Sequence, residues 1–199
     1  MRGCSLSPMG RGNLALLRRD LHHRPARPGG PTVYFGGESE PARQLAARAA
    51  DVFFINGRPL DQTVELIEDL RRRPRAGVPL RFGLAAFVIA REDEEAAQAE
   101  FEHLLELSSR DDRSRLVTGT DKQVAMMKVN ADQPRVGTNG GTTAGLVGSY
   151  DQVADRIAAF HEAGIELFML QFQPLEAEVV RFGTEVIPRV RDRSLTAAA

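Results

Sequence analysis

The chain has 199 residues, of which 42% are hydrophobic and 27% are charged, an ordinary composition for a globular protein with one sizeable core. No apolar run reaches the roughly 18 residues of a membrane-spanning helix, and the N-terminus lacks the apolar stretch of a secretory signal. We therefore expect no membrane contact and a cytoplasmic location. The net charge of -1, without a basic stripe interleaved with aromatic residues, also argues against nucleic acid as a partner.

The first 30 residues differ in character from the remainder. Six arginines and one aspartate give them a charge of +5, which leaves -6 for the rest of the chain. Glycine, proline, arginine and histidine recur there without a helical or strand period, so we predict a disordered basic arm over 1–30. A folded unit over 31–193 and a disordered tail over 194–199 complete the predicted organisation.

From Thr32 onward, short apolar runs alternate with amphipathic segments. Strands are predicted over 32–35 and 52–55, each followed by a turn and a helix. The apolar spacing predicts that these two helices bury Ala42, Leu45, Ala46 and Ala49, and Val64, Ile67 and Leu70, respectively.

The same alternation continues, with one interruption, to the end of the chain. A continuous apolar run over 80–90 predicts a strand covered on both faces, followed by a helix from Asp93. Residues 108–148 break the rhythm with a charged stretch, a helix opened by a capping box at 120–123, and a loop rich in glycine and threonine. A second capping box at 149–152 opens the next helix; a strand over 167–172 and a helix over 175–190 follow.

Strands separated by helices in this way imply right-handed parallel crossovers. Two architectures fit the pattern. One is an open, doubly wound sheet of about four or five strands, and the other is a (β/α)8 barrel, which needs eight strands and about 250 residues. Chain length by itself favours the open sheet.

The turn formed by Gly36, Gly37, Glu38 and Ser39 is the first candidate site. It lies where a strand ends and a helix begins, with Ser39 as N-cap and Pro41 in the first helical turn. Outward-pointing amides and the positive end of the helix dipole favour an anion, so a phosphate is one interpretation. The other is an ordinary tight turn with a serine cap. The Glu38 carboxylate would repel a phosphate unless it turns away and only its amide contributes.

Two more candidates follow strand ends, where ligand contacts gather in parallel α/β folds. Asn56 ends the second strand. The loop with Gly140, Gly141 and Thr142 is either a mobile loop over a ligand or a flexible connector.

The end of the last predicted strand carries Gln171, Phe172 and Gln173, whose amides and ring suit a planar ligand, although core packing explains Phe172 equally well. No histidine or cysteine has partners at metal-ligand spacing, so no metal site is predicted. No nucleophile elbow, P-loop or paired-carboxylate site is visible either. The chemistry must therefore come from a cofactor or from residues that the sequence does not reveal.

Five ordered blocks resemble the bacterial luciferase-like, flavin-dependent monooxygenases. They are VYFGGES at 33–39, ADVFFING at 50–57, LRFG at 80–83, GLVGS at 145–149 and GIELF at 164–168. Within that family the sequence is most similar to FMNH2-dependent dimethyl sulfone monooxygenases, notably in TNGGT at 138–142 and MLQFQP at 169–174. The likeness runs from about Thr32 to Arg191 and does not include the arm.

That family folds as a complete (β/α)8 barrel. The resemblance therefore implies that this α/β chain supplies parallel (β/α) units equivalent to strands five to eight, the C-terminal half of a TIM-type barrel. It also implies FMN as cofactor, delivered as FMNH2 by a separate NAD(P)H-dependent flavin reductase, with oxygen as the second substrate.

The resemblance also implies roles for individual residues, although not which ones are catalytic. The flavin phosphate would be held by the turn amides and the Ser39 hydroxyl, and the glycine loop would close over the site. The implied cofactor-binding residues are Gly36, Gly37, Glu38, Ser39, Asn56, Gly140, Gly141 and Thr142. The implied substrate-lining residues are Phe87, Gln171 and Gln173.

A departure from related enzymes bears on the substrate. Alkanesulfonate monooxygenases of this class carry an arginine and a histidine where this chain has Ala85 and Phe87. A sulfonate would lose a charge-assisted partner there, whereas a neutral sulfone needs none. The resemblance thus implies oxidation of a small organosulfur compound, dimethyl sulfone to methanesulfinate.

Two alternatives stay open: an alkanesulfonate monooxygenase, and a truncated half-barrel without catalytic activity. A half-barrel exposes two sheet edges and an apolar inner face, which would favour a homo-oligomer.

Overall fold

The computed structural model describes residues 30–110 and 135–197. Within these ranges the strands are β1 (Tyr34–Gly36), β2 (Val52–Asn56), β3 (Arg81–Phe87), β4 (Ile89–Arg91), β5 (Val147–Ser149) and β6 (Ile165–Gln171). The helices are α1 (Glu40–Ala49), α2 (Leu60–Arg72), α3 (Glu94–Arg110), α4 (Tyr150–Glu162), α5 (Leu175–Arg181) and α6 (Ile187–Ala197). A single 3₁₀ turn covers Gly141–Ala144, and a π-helical segment, Phe182–Val186, joins α5 to α6.

The order of the strands decides between the two architectures. β1, β2, β3 and β6 form one sheet in that order, and every pair is parallel. A doubly wound sheet reverses its winding direction and so separates strands that are consecutive in the sequence. Here neighbours in the sheet follow chain order, which is the winding of a (β/α) barrel. The expectation from length was therefore wrong, and the expectation from the resemblance is confirmed.

The main core lies on one face of this sheet. Right-handed crossovers between sequential parallel strands place their connecting helices on one side, whereas α3 packs on the two-stranded sheet of β4 and β5. One continuous cluster accordingly joins Phe53 and Leu84 of the strands to Ile67 of α2 and Phe160 of α4, all less than 2% exposed. Burial of these helix faces against the sheet is what holds the four units together.

The opposite face of the sheet is mainly apolar, and part of it is open among the described residues. The Tyr34 and Phe54 rings lie 5.8 Å apart there, and the Phe54 ring covers Gly83 so closely that a Cβ at that glycine would lie 2.7 Å from it. Tyr34 and Met169 are 56% and 46% exposed. This is the face that points into the interior of a closed barrel.

The first two predicted helices form, but the buried face of α1 differs from the prediction. Its buried residues are Ala46 and Ala47, while Leu45 is exposed. Because α1 is rich in alanine, more than one face of the helix is apolar enough to be buried. The position of the sheet decides which face is buried. In α2, Ile67 and Leu70 are buried as predicted, together with Leu66.

The long apolar run at 80–90 gives two strands and not one. β3 ends at Phe87, and after Val88 the chain continues as β4, which pairs with β5. β5 was not predicted, because a three-residue strand has no periodicity of its own. The residues before and after Val88 are buried alike, so the sequence shows one continuous apolar run where the structure has two strands.

The end of the chain also differs from the prediction. The last helix does not stop near residue 190 but continues as α6 to Ala197. The chain divides into two units between Pro31 and Thr32. The arm predicted over 1–29 and the capping box at 120–123 lie outside the described residues. Within the part that is described, no helix combines the length and the apolar character needed to cross a bilayer.

The glycine-rich loop is a packed turn across the carboxyl ends of the strands. Gly57, just beyond β2, donates its N–H to the Asn139 carbonyl at 2.7 Å, and its own carbonyl accepts the Thr143 hydroxyl at 2.6 Å. Thr142 is 7% exposed, and its hydroxyl accepts the Val136 N–H at 3.1 Å. The interpretation of this loop as a flexible connector does not hold.

Gly140 and Gly145 offer a matched test of this packing. Both have positive φ, +86° and +75°, but a Cβ at Gly140 would overlap the Gly57 carbonyl oxygen, whereas a Cβ at Gly145 meets nothing within 4 Å. We expect Gly145→Ala to cost about 1 kcal/mol of unfolding free energy from the backbone conformation alone. Gly140→Ala should cost at least about 2 kcal/mol more. Urea denaturation measures both, and equal costs would mean that the loop is not packed on β2.

The capping box of α4 forms as predicted and gives a second test. The Ser149 hydroxyl accepts the Gln152 N–H at 3.2 Å, and the Gln152 side chain accepts the Ser149 N–H at 2.8 Å. Ser149→Ala should therefore lower the free energy of unfolding by about 1 kcal/mol. The control is Ser109→Ala, which removes an exposed hydroxyl in the last turn of α3 and should change stability by less than about 0.5 kcal/mol. Similar losses in the two variants would contradict the capping role.

Candidate functional site

The turn after β1 is exposed at Gly36 and Ser39, whereas Glu38 between them is buried. Ser39 is the N-cap of α1, and its hydroxyl accepts the Ala42 N–H at 3.4 Å. That hydroxyl keeps its own hydrogen for another acceptor. Among the described residues, the N–H groups of Glu38 and Ser39 have no protein acceptor. The turn therefore offers two amides and a hydroxyl at the positive end of a ten-residue helix.

The Glu38 carboxylate turns away from these donors. Its side chain is only 3% exposed and forms an ion pair with Arg58, which lies two residues beyond β2 and is 6% exposed in its side chain. The Arg58 Nε also donates to the Asn56 carbonyl at 3.2 Å. The Glu38 carboxylate is therefore buried and paired. It turns away from the turn, which is the condition under which a phosphate could bind there.

Two more arginines neutralise and orient the same turn. Arg43 of α1 donates its Nε to the Glu38 carbonyl at 2.9 Å, and its guanidinium pairs with Asp69 at 3.2 Å. Arg73 contacts both carboxylate oxygens of Glu40, at 2.7 and 2.8 Å. Hydrogen bonds, first from Arg73, lower the pKa of Glu40 to about 2, so its carboxylate stays ionised at neutral pH.

The other predicted cofactor residues lie along the same carboxyl edge of the sheet. Gly36 ends β1, and Asn56 ends the adjacent β2 and is half-buried. Gly140 and Gly141 lie against Gly57, immediately beyond Asn56, and Thr142 follows them in the same turn. The parallel order of the strands thus brings together the residues that the sequence analysis placed in two separate groups.

The predicted substrate residues divide into three environments. Phe87 is 5% exposed and lies under Gly137, where a Cβ would come within 2.6 Å of its ring. The Gln171 side-chain oxygen accepts the Thr138 N–H at 3.1 Å, so this amide anchors the loop in the structure. Gln173 is exposed beyond β6. Ala85, one pleat below Phe87, is 2% exposed.

Charge is absent from the part of the inner face nearest this edge, as far as the chain is described. In β3 and β6, every second residue lies on the inner face. Beyond the first residue of β3 at the amino end, these residues are Gly83, Ala85, Phe87, Leu167, Met169 and Gln171. Arg81, at the amino end of β3, pairs with Glu166 at 2.7 Å. The face suits a neutral ligand better than an anion.

No group of three or more metal-binding side chains occurs within the described ranges. A cavity of 320 Å³ is lined by Gln44, Ala47, Arg48, Arg73 and Pro74, none of which was a predicted site residue. Sequence reasoning missed Arg58, and it did not foresee the contact of Thr138 with Gln171. The one signal for Arg58 was the need of Glu38 for a cationic partner, which several arginines could have met.

Comparison with known proteins places the chain in a family. The family model described as luciferase-like monooxygenase matches residues 9–167. The match begins inside the segment where we expected no likeness, so the predicted start of the likeness at Thr32 is wrong. The chain is 31% identical to an FMNH2-dependent dimethylsulfone monooxygenase of Pseudomonas putida, with 86% of this chain and 50% of the relative covered.

A sulfoquinovose monooxygenase of Agrobacterium fabrum is 30% identical over 86% of this chain and 50% of its own length. Among solved structures, a riboflavin lyase with modified FMN and riboflavin superimposes with a TM-score of 0.61 at 20% identity, covering 83% of this chain and 44% of that one. The chain spans about half the length of the curated relatives it matches. The parallel β/α units of this chain match about half of that solved structure in fold. Because the family model covers most of the sequence, this chain belongs to the luciferase-like monooxygenase family.

Proposed function

We propose that the chain binds FMN, with the phosphate at the turn after β1, and serves an FMNH2-dependent monooxygenase that oxidises a small organosulfur compound. One observation carries the proposal. Within the described ranges, the amides of Glu38 and Ser39 have no protein acceptor at the N-terminus of α1, while the Glu38 carboxylate is buried against Arg58. A dianionic phosphate satisfies such donors, and few other ligands do so as well.

The residues of the turn fit the proposed cofactor. The helix dipole and the two amides favour negative charge, and the Ser39 hydroxyl can donate while it still caps α1. Gly37 has a φ of +139°, a conformation that side chains rarely adopt, and this lets the chain turn sharply between β1 and Glu38. Asn56 and the packed turn at Gly140–Thr142 lie next along the edge, where the rest of the flavin would extend.

When bound, reduced FMN supplies the electrons that activate oxygen. The tasks of the chain itself are to bind, to orient and to exclude water. The turn holds the phosphate, the glycine-rich turn covers the strand ends, and the buried residues Ala85 and Phe87 of β3 offer an apolar surface to the reacting groups. Gln171 maintains that arrangement by holding Thr138.

A neutral sulfone is the proposed substrate. Ala85 and Phe87 are buried and uncharged, and no cation lies near them on the described inner face. A sulfonate would be desolvated there without a charged partner. The relatives do not distinguish these substrates, since the dimethylsulfone and sulfoquinovose monooxygenases are 31% and 30% identical. The physical argument therefore carries the choice of dimethyl sulfone.

Two partners belong to the proposal. A relative that is FMNH2-dependent requires a source of reduced flavin, and we propose an NAD(P)H-dependent flavin reductase as that source. We also propose a homo-oligomer, because Tyr34 and Met169 leave a large apolar area of the inner face open.

A second candidate is a half-barrel without activity of its own. The exposure of Tyr34 and Met169 favours it, because a flavin ring on an open face would remain in contact with water. The two candidates differ in a measurable way. The inactive half-barrel gives neither tight FMN binding nor sulfone-dependent oxygen consumption.

Replacement of Ser39 tests the phosphate site directly. Ser39→Ala should weaken FMN binding by roughly tenfold or more, the value of one hydrogen bond to a charged group, and leave riboflavin binding unchanged. Flavin fluorescence quenching measures both ligands. Ser149→Ala is the matched control, because it removes the equivalent cap of α4 and should leave the ratio of FMN to riboflavin affinity unchanged. Equal binding of FMN and riboflavin by the unaltered chain would refute the phosphate site.

Substrate class is tested by oxygen uptake in the presence of FMN, NADH and a flavin reductase. Dimethyl sulfone should stimulate uptake at least tenfold more than an alkanesulfonate at equal concentration, since only the anion must be desolvated without a partner. Preference for the sulfonate would contradict the neutral site. Absence of stimulation by both compounds would support the inactive half-barrel.

A further inference from the structure

We propose that the buried Glu38–Arg58 ion pair is a positioning device for the anion site: Arg58 keeps the Glu38 carboxylate out of the phosphate cradle while the Glu38 and Ser39 amides face it. This inference rests on the proposed FMN site. It assigns a role to Arg58, which touches neither the amides nor the proposed phosphate position and which the sequence analysis did not select.

Arg58 is placed to hold the carboxylate from the neighbouring strand. It follows β2, its Nε donates to the Asn56 carbonyl at 3.2 Å, and another guanidinium nitrogen pairs with Glu38. The whole residue is 5% exposed and Glu38 is 8% exposed. The pair therefore joins the carboxyl ends of β1 and β2 beneath the turn, on the side away from solvent.

The peptide unit that follows Glu38 is fixed from the opposite direction. Arg43 donates its Nε to the Glu38 carbonyl at 2.9 Å. In a trans peptide the carbonyl and the next N–H point in opposite directions, so this contact directs the Ser39 N–H away from Arg43. Glu38 is thus held by two arginines, one on its carboxylate and one on its carbonyl, and its backbone has little freedom to rotate.

Electrostatics give the pair its importance for an anion. An unpaired carboxylate within about 7 Å of a dianion weakens binding by roughly tenfold even at the dielectric constant of water, and by more at a partly buried site. When Glu38 is paired with Arg58, the negative and positive charges of the two side chains largely cancel at the anion site. A glutamate in an anion-binding turn is then compatible with its ligand.

A purely structural role is the competing explanation, because loss of one partner from any buried pair destabilises a protein. The Arg91–Glu178 pair allows the two roles to be separated. Its side chains are 16% and 7% exposed and 2.7 Å apart, and neither residue belongs to the proposed site. Breaking that pair should affect stability only.

The test compares FMN with riboflavin, which lacks the phosphate, in the full chain. Arg58→Met keeps most of the side-chain volume but frees the Glu38 carboxylate. We expect FMN affinity to fall at least tenfold while riboflavin affinity changes less than twofold. The double variant Glu38→Gln/Arg58→Met removes the freed charge and should restore FMN affinity to within about threefold of the original.

Arg91→Met is the control and should lower the melting temperature without changing the FMN-to-riboflavin ratio. The inference is overturned if Arg58→Met lowers both affinities equally, or if the double variant regains stability but not FMN affinity. If the unaltered chain binds FMN no better than riboflavin, the phosphate site itself fails and the inference fails with it. If the unaltered chain strongly prefers FMN to riboflavin and Arg58→Met keeps that preference, only the proposed role of Arg58 is refuted.

The single variant Glu38→Gln keeps the test decisive if Arg58→Met does not fold. It preserves a hydrogen-bonding side chain beside Arg58 and leaves a positive charge near the turn. FMN affinity should then rise at least twofold, with riboflavin unchanged, and the gain should shrink as salt is raised. Unchanged or weaker FMN binding in this variant counts against the role of the pair.

Discussion

The four-stranded sheet is parallel and sequential, and the candidate site depends on that arrangement. A parallel strand reaches its neighbour only through a crossover that runs back along the sheet, and right-handed crossovers place the helices packed against this sheet on the same face. One face of the sheet is therefore covered by helices, and every strand ends at the same edge. The turn at Glu38 and Ser39, the Arg58 side chain and the loop held by Gln171 meet at that edge for this reason.

A conflict of charge lies at the centre of the site. The turn that ends in Ser39 has the amides and the helix terminus of an anion site, yet it contains Glu38. Burying a carboxylate costs several kcal/mol unless a cation accompanies it, and removing one partner of such a pair costs about 3–5 kcal/mol. The fold resolves the conflict with Arg58, whose side chain is as buried as that of Glu38. The same pairing that preserves stability also leaves the backbone of the turn available for the proposed phosphate.

The two faces of the sheet have different roles. Helix packing determines the covered face, where large side chains such as Phe53 and Phe160 are fully buried. The other face carries mostly small or apolar residues, with Gly83 making room for the Phe54 ring and Ala85 buried beside Phe87. Among the described residues, the part of that face near the carboxyl edge is uncharged, which supports the proposal of a neutral substrate, and the exposure of Tyr34 and Met169 supports the proposed association.

The sequence by itself determined what depends on neighbours along the chain. The caps at Ser39 and Ser149, the positions of most helices and strands, and the glycine-rich turns follow from contacts within about four residues. Only the tertiary structure decided what depends on distant partners. β5 exists through its pairing with β4, and the buried stripe of α1 is set by the sheet beneath it. Glu38 contacts Arg58, 20 residues away, and Thr138 contacts Gln171, 33 residues away, because adjacent parallel strands bring their ends together. The spacing of charged residues along the chain does not indicate which of them will form a pair.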